Sequence, residues 1–243
     1  MKKLFTSESV TPGHPDKLCD KIEDMILDAY LKEDSSSRVA VEVCAHKNGI
    51  VVMGEVTSKA KIDIERIVRN TIIDVGYDND NLGFNGNNVK VSININTQSN
   101  DIAMGVNTSS DSKLLGAGDQ GMMFGYATDE TENFMPYSIY LANKLSEKLY
   151  NAFKTKKIPY LRPDGKTQVT ICYIDDVPKY VDTIVISAQH DEIDLDTLRK
   201  DIKEKIIDIT IPKEMINENT KIYIKPTGRL VLGVPMADRG LSG

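Results

Sequence analysis

The order of hydrophobic and polar residues predicts two similar groups of elements, one in each half of the chain. Apolar side chains recur every three to four residues where we expect a helix and every second residue where we expect a strand. The first half predicts a strand at 3–6, a helix at 15–32, strands at 38–46 and 50–56, a helix at 62–75 and a strand at 89–95. The second half predicts a strand at 122–127, a helix at 136–153, strands at 167–174 and 180–188, a helix at 195–207 and a strand at 221–225.

Both halves therefore follow the order β-α-β-β-α-β, which indicates an α+β fold built from two tandem copies of one split-βαβ unit. The helices of each unit are expected to pack on one face of a mostly antiparallel sheet, leaving the other face open to a partner or ligand. The predicted divisions are an N-terminal repeat at 1–97, a mobile loop and linker at 98–115, a central repeat at 116–231 and the start of a truncated C-terminal repeat at 232–243.

Composition narrows the class of protein. The chain has 243 residues, of which 40% are hydrophobic and 27% charged, as in an ordinary soluble globular protein. Its net charge of −6 argues against a nucleic-acid partner. The start of the chain has no apolar core of a signal peptide, and no apolar run is long enough to span a membrane. Cys19, Cys44 and Cys172 lack zinc or CxxC spacing, so we expect reduced cysteines in a cytoplasmic protein.

Two glycine motifs suggest nucleotide binding by folds that the pattern excludes. Residues 116–121 spell G-x-G-x-x-G, but that fingerprint needs a strand before it and a helix after it. Here a polar stretch precedes the glycines and a predicted strand follows them. Residues 165–167, Gly-Lys-Thr, resemble the end of a P-loop, but position 160 holds a tyrosine where that motif needs glycine.

Residues 11–17, with the sequence TPGHPDK, combine a constrained histidine with an acid at the start of a predicted helix. Prolines on both sides restrict the backbone of His14, and the helix N-terminus favours anions. Asp16 is placed to be one of the few carboxylates that hold Mg²⁺ on a polyphosphate. The same pattern also fits a Pro-Gly turn followed by a well-capped helix with no ligand.

The hairpin at 38–56 predicts a second pair of acids. With Asn48 and Gly49 as a two-residue turn, Glu42 lies directly opposite Glu55 on the face away from the core. Like charges that face each other on a sheet are destabilising unless something compensates. The alternatives are a cation site and two glutamates that splay into water.

Several motifs, in order along the chain, resemble the S-adenosylmethionine synthetases (methionine adenosyltransferases). They are FTSESV at 5–10, GHPDK at 13–17, VMGEV at 52–56, GAGDQG at 116–121, LRPDGKT at 161–167 and the stretch 225–243. The resemblance implies a transferase that forms S-adenosylmethionine from ATP and L-methionine and releases phosphate and diphosphate. It also implies Mg²⁺ and K⁺ as cofactors.

The resemblance assigns roles to individual residues. The implied ATP contacts are His14, Asp164, Gly165, Lys166, Arg229, Leu230 and Asp238. The implied methionine contacts are Glu55, Gln98 and Asp238. Asp16 matches a Mg²⁺ ligand, Glu42 a K⁺ ligand, and Asp119 a residue that reaches the site of a neighbouring subunit. His14 and Lys166 are the implied catalytic residues, because they would stabilise charge on the leaving triphosphate.

The family is built from three similar repeats, and the pattern here accounts for two. The resemblance implies a homodimer or a dimer of dimers with ATP and L-methionine as ligands. Because the third repeat is missing from the pattern, we expect little product from the 243-residue chain alone. Further phosphate-binding lysines of the family lie in the stretch that would follow Gly243. Two alternatives stay open: a catalytically inactive or regulatory subunit, and one half of a split synthetase whose partner supplies the third repeat.

Overall fold

The computed structural model describes residues 1–47, 49–97, 121–225, 228 and 239–243. Its helices are α1 (Pro15–Glu33), α2 (Ile64–Val75), α3 (Tyr137–Lys154) and α4 (Leu195–Ile202), the last continued by a π-helical turn (Lys203–Ile207) and a short helical turn (Asp208–Thr210). The strands are β1 (Lys2–Val10), β2 (Arg38–His46), β3 (Gly49–Thr57), β4 (Lys90–Asn96), β5 (Leu161–Ile174), β6 (Val177–His190), β7 (Lys221–Ile224) and β8 (Gly240–Leu241). Two 3₁₀ turns lie at Asp80–Leu82 and Lys213–Met215.

The first sheet has the strand order β4-β3-β2-β8, and α1 and α2 cover one of its faces. Its β2–β3 and β2–β8 pairs are antiparallel and its β3–β4 pair is parallel. The core between sheet and helices is mostly aliphatic, with Leu18, Ile22 and Ile26 of α1 completely buried. Ile93 of β4 lies beside the buried Val52 but is itself 42% exposed, because β4 is an edge strand.

The second sheet has the order β1-β5-β6-β7, and α3 and α4 pack on one of its faces. Only its β6–β7 pair is parallel. The turn between the two long strands lies at Asp175 and Asp176, both of which have positive φ angles. Mixed helices and mostly antiparallel sheets with helices on one face confirm the predicted α+β class.

One strand of the predicted plan is wrong and another has an unexpected partner. Residues 122–127 form no strand, although they are a short, mostly apolar run. The edge position beside β5 is instead taken by β1, which pairs with β5 over all nine of its residues, from Lys2 opposite Ile174 to Val10 opposite Lys166. The first strand of the chain therefore completes the sheet of the second half. The predicted linker at 98–115 lies outside the described residues, and the domain boundaries stay a prediction.

Among the described residues, no helix covers the second face of either sheet, as expected from the pattern. On the first sheet this face carries Met53 and Leu241, which are 41% and 64% exposed. None of the helices in the described ranges combines the length and the apolar character that crossing a bilayer would require.

Candidate functional site

The loop before α1 packs tightly on the first residues of β5, and we call residues 11–16 and 163–166 the loop–strand corner. The backbone N–H of Thr11 donates to the Gly165 carbonyl at 2.8 Å, and its hydroxyl donates to the Pro163 carbonyl at 2.7 Å. A Cβ on Gly13 would lie 2.4 Å from the carbonyl carbon of Pro163, so only glycine allows this approach. The corner brings His14 and Asp16 to the same place as Asp164, Gly165 and Lys166.

His14 is the residue that begins α1. It has extended backbone angles, φ −66° and ψ 139°, and its Nδ1 accepts a hydrogen bond from the backbone N–H of Asp16 at 3.4 Å. The residue is 9% exposed, so the imidazole is held at the positive end of the helix dipole. An anion placed there would meet both the helix N-terminus and the imidazole.

The three predicted ligand residues of β5 have different environments. Asp164 is 3% exposed. Gly165 is also buried, and a Cβ there would lie 2.7 Å from the Leu149 side chain. Lys166 is partly exposed and its Nζ lies 3.0 Å from a carboxylate oxygen of Glu8 on β1. The sequence Pro-Asp-Gly is typical of a turn, but residues 163–165 lie inside β5.

A buried lysine to which the sequence analysis gave no role lies near the corner. Lys225 follows β7, has a positive φ of 51° and is only 2% exposed. Burial lowers its pKa, while the negative charge of Asp164 acts in the opposite direction. A buried lysine beside a buried aspartate is thus part of the electrostatic surroundings of the corner. Its sequence context, a strand followed by proline, gave no sign of this burial.

The segment 239–243 connects the predicted Mg²⁺ and K⁺ ligands. The backbone N–H of Leu241 donates to a carboxylate oxygen of Asp16 at 3.3 Å, and the Ser242 hydroxyl donates to Glu42 at 3.0 Å. The same hydroxyl accepts from the Val43 N–H at 2.7 Å, which fixes the segment beside β2. Asp16 and Glu42 therefore contact two successive residues, Leu241 at the end of β8 and Ser242 directly after it.

The predicted register of the hairpin is wrong by two residues. Glu42 lies opposite Met53, and Glu55 lies opposite Ala40, because His46 pairs with Gly49. A shift of two keeps both glutamates on the same exposed face, since side chains alternate with period two. They are diagonal neighbours on that face and do not oppose each other directly. We call this surface the glutamate face.

Five predicted ligand residues, Gln98, Asp119, Arg229, Leu230 and Asp238, lie outside the described residues. Within the described ranges, no three carboxylate, histidine or cysteine side chains converge as they would in a metal cage built by protein alone. Glu8 and Tyr77 were not predicted, although both contact the corner. Glu8 belongs to a motif that carried the resemblance, but its pairing with Lys166 depends on β1 joining the second sheet.

Comparison with known proteins agrees with this geometry. Residues 2–100 match the family profile of the S-adenosylmethionine synthetase N-terminal domain, and residues 114–230 match that of the central domain. The S-adenosylmethionine synthase of Clostridium botulinum is 50% identical over 252 residues, covering 100% of this chain and 64% of the relative.

Two further relatives give the same result. The S-adenosylmethionine synthases of Finegoldia magna and Nocardia farcinica are 48% and 51% identical, over 100% and 99% of this chain. The chain spans 64% of the length of these curated relatives. Two domain profiles of one family thus match most of the chain. About half of its residues are identical to those of relatives named as S-adenosylmethionine synthases. The chain belongs to the S-adenosylmethionine synthetase family.

Proposed function

We propose that this protein is a methionine adenosyltransferase, which forms S-adenosylmethionine from ATP and L-methionine and releases phosphate and diphosphate. The observation that carries the proposal is the loop–strand corner, where a buried histidine at a helix N-terminus meets a buried aspartate and a lysine. Such an arrangement suits a polyphosphate, because it offers positive partial charge from the helix and full charge from the lysine. The names of the relatives supply the reaction.

In this reaction the methionine sulfur attacks the 5′ carbon of ATP. A C–S bond forms while the C–O bond to the triphosphate breaks, and the electron pair leaves with the triphosphate, which water then hydrolyses. No covalent intermediate with the protein is required. The role of the chain is to align the two substrates and to stabilise the charge that develops on the leaving group.

His14 and Lys166 are the residues that we propose for this stabilisation. His14 is already fixed by its hydrogen bond to the Asp16 backbone, so little reorganisation is needed when a phosphate binds. Lys166 is paired with Glu8 and must exchange that partner for the phosphate, or share its charge with both. Asp164, Gly165, Arg229, Leu230 and Asp238 complete the proposed ATP contacts.

Asp16 and Glu42 are the proposed ligands of Mg²⁺ and K⁺. Asp16 suits Mg²⁺ because its side chain is 57% exposed at the mouth of the corner, and one or two carboxylates with phosphate oxygens and water are the usual ligands of Mg²⁺ on ATP. Glu42 and Ser242 place oxygen atoms 3.0 Å apart, and oxygen ligands are what K⁺ prefers. The two cations supply charge neutralisation for the triphosphate when bound.

Glu55, Gln98 and Asp238 are the proposed methionine contacts, with the ammonium group of methionine on the glutamate face beside Glu55. We further propose a cytoplasmic homodimer or dimer of dimers in which Asp119 reaches a neighbouring site. Support for a partner copy comes from an exposed apolar stretch after the linker, where Met123 and Phe124 are 94% and 88% exposed. A contiguous exposed apolar patch marks an interaction surface.

The test is an assay of product formation with ATP, methionine, Mg²⁺ and K⁺. The protein is purified from the organism that produces it, so that it has its natural length. We expect S-adenosylmethionine by mass spectrometry at a rate of about 1 s⁻¹ or more. Phosphate and diphosphate should appear in equal amounts with it. Binding of ATP and methionine without any product would reject the transferase and favour the regulatory subunit. Activity that appears only after a second polypeptide is added would favour the split synthetase.

A further inference from the structure

Tyr77 is a completely buried tyrosine whose hydroxyl reaches the loop–strand corner. The hydroxyl donates a hydrogen bond to the Gly13 carbonyl at 2.7 Å. The ring is held by Phe84, edge to face with centroids 5.5 Å apart. Its backbone is fixed on both sides, since the Tyr77 N–H donates to Ile72 and its carbonyl accepts from Gly86. The phenol therefore has one orientation.

The peptide unit between Gly13 and His14 is held at both ends. Its carbonyl accepts from Tyr77, and its N–H, which belongs to His14, donates to the Thr11 carbonyl at 3.0 Å. This peptide sets the direction in which the His14 side chain leaves the backbone. The Thr11 carbonyl is part of the corner itself, whereas Tyr77 comes from a separate element that follows α2.

The end of α2 is anchored on α3, in the other half of the chain. The Tyr150 hydroxyl donates to the Val75 carbonyl at 3.1 Å, and Lys154 Nζ donates to the Asp74 carbonyl at 2.7 Å. A Cβ on Gly76 would lie 2.6 Å from the Phe153 ring, so the approach is close. Tyr77 directly follows this anchored end of α2 and donates to the peptide that precedes His14. It therefore links the contact between α2 and α3 to the position of that peptide.

We propose that Tyr77 is a positioning residue, which holds His14 in place for the leaving triphosphate through its hydrogen bond to the Gly13 carbonyl. The mechanistic part of this inference rests on the proposed function. Burial and the nearby charge of Asp164 raise the pKa of Tyr77 well above its usual value, so the phenol remains a donor at physiological pH. Tyr77 does not touch the reacting atoms.

The test compares Tyr77→Phe with Tyr150→Phe. Each variant removes one hydroxyl that donates to a backbone carbonyl. The Tyr77 hydroxyl donates to Gly13 in the loop before α1, whereas the Tyr150 hydroxyl donates to Val75 at the end of α2. The chain has three histidines, His14, His46 and His190, so their imidazole signals can be followed by NMR at one fixed pH. Loss of a signal in His14→Gln identifies the His14 resonance.

We expect Tyr77→Phe to shift the His14 signal and to leave those of His46 and His190 unchanged, which also reports that the variant is folded. Tyr150→Phe should leave the His14 signal in place. In the assay, Tyr77→Phe should lower kcat about tenfold to a hundredfold, as expected for a misplacement near 1 Å, with the KM for methionine within about twofold. An unshifted His14 signal, or equal effects of the two variants on that signal, would overturn the proposal.

A measurement on the unmodified protein covers the case in which Tyr77→Phe does not fold. A buried, hydrogen-bonded Tyr77 hydroxyl proton should exchange slowly with water and give a nuclear Overhauser effect to the α protons of Gly13. Rapid exchange of this proton would overturn the proposal. The NMR results do not depend on activity, so absence of product from the unmodified protein would reject the proposed function while the His14 signal still decides the role of Tyr77.

Discussion

The loop–strand corner and the glutamate face carry the two groups of proposed ligand residues in different surroundings. The corner is closed by hydrogen bonds between distant segments and by backbone contacts that only glycine permits, as at Gly13. On the glutamate face, Glu42 and Glu55 project from a regular hairpin into solvent. The fold thus fixes the proposed phosphate side before ligands bind, whereas the proposed methionine side consists of exposed carboxylates.

This difference has an energetic consequence. A buried polar group at the corner must keep its partner, because an unsatisfied buried donor or acceptor costs about 1–3 kcal/mol. An exposed glutamate keeps its hydration in the absence of ligand, so its removal costs the fold little. Substitutions at the corner should therefore affect both stability and turnover, and substitutions on the glutamate face should affect ligand binding alone. The following predictions test this division.

The largest effect is expected from His14→Ala. Loss of one preorganised group that stabilises the leaving triphosphate should lower kcat about 10²–10³-fold, while methionine affinity changes little. His46→Ala, at the end of β2, is the matched control and should retain normal turnover. Steady-state kinetics with both substrates varied provide the measurement. Equal turnover of His14→Ala and the unmodified protein would remove His14 from the mechanism.

The next effect concerns the close approach at Gly13. In Gly13→Ala the new Cβ would overlap backbone atoms of Pro163, which cannot rotate away, so we expect a loss of about 1–3 kcal/mol in the free energy of unfolding. Turnover should fall as well, because the displaced loop carries His14. Gly125→Ala is the control, since a Cβ there would meet no atom within 4 Å. Urea denaturation of the two variants decides the matter, and similar midpoints would contradict a closely packed corner.

The two regions also differ in how far the sequence could predict them. Elements such as α1, β2 and β3 were predicted to within one or two residues, because periodicity and helix ends depend on neighbouring residues. The shared face of Glu42 and Glu55 followed from the same local rule. Their register did not, because two registers that differ by two residues leave the same side chains on each face, and the structure pairs His46 with Gly49.

The corner could be predicted only as separate motifs. Residue types and helix position marked His14 and Asp16, but the contacts with Pro163 and Gly165 join segments about 150 residues apart. No local pattern specifies the partner of a strand, so the pairing of β1 with β5 was missed and a strand was placed at 122–127 instead. Tyr77 was missed for the same reason, since it looks like an ordinary residue after a helix-ending glycine.

A smaller effect is expected on the glutamate face. Glu55→Gln should lower methionine affinity about tenfold through loss of a charge-assisted contact to the ammonium group, and Glu42→Gln should weaken the dependence of activity on K⁺. Each variant should unfold within about 0.5 kcal/mol of the unmodified protein, because both side chains are exposed. Calorimetric titration with methionine, with and without K⁺, gives the affinities. Destabilisation as large as that of Gly13→Ala would show that the two regions do not differ as we infer.

The smallest effect concerns an exposed ion pair between α1 and α2. The Nζ of Lys21 on α1 lies 2.7 Å from a carboxylate oxygen of Asp74 on α2. The hydrogen bond from Lys21 holds the pKa of Asp74 in the folded state below its usual value. The ion pair therefore stabilises the folded state at pH values above the pKa of the unfolded chain, which is about 4. This stabilisation is lost as the pH falls through the lower pKa of the folded state. Asp74→Asn should therefore be less stable than the unmodified protein at pH 7, and the two should converge in acid. Both side chains are more than one-third exposed, which limits the difference to about 0.2–1 kcal/mol, and 1 M salt should reduce it further.

Asp24→Asn, on the exposed side of α1, is the control for loss of one negative charge. Thermal unfolding at a series of pH values from 7 downward provides the measurement, and a difference that does not decrease as the pH falls would mean that Asp74 acts through packing instead of its charge.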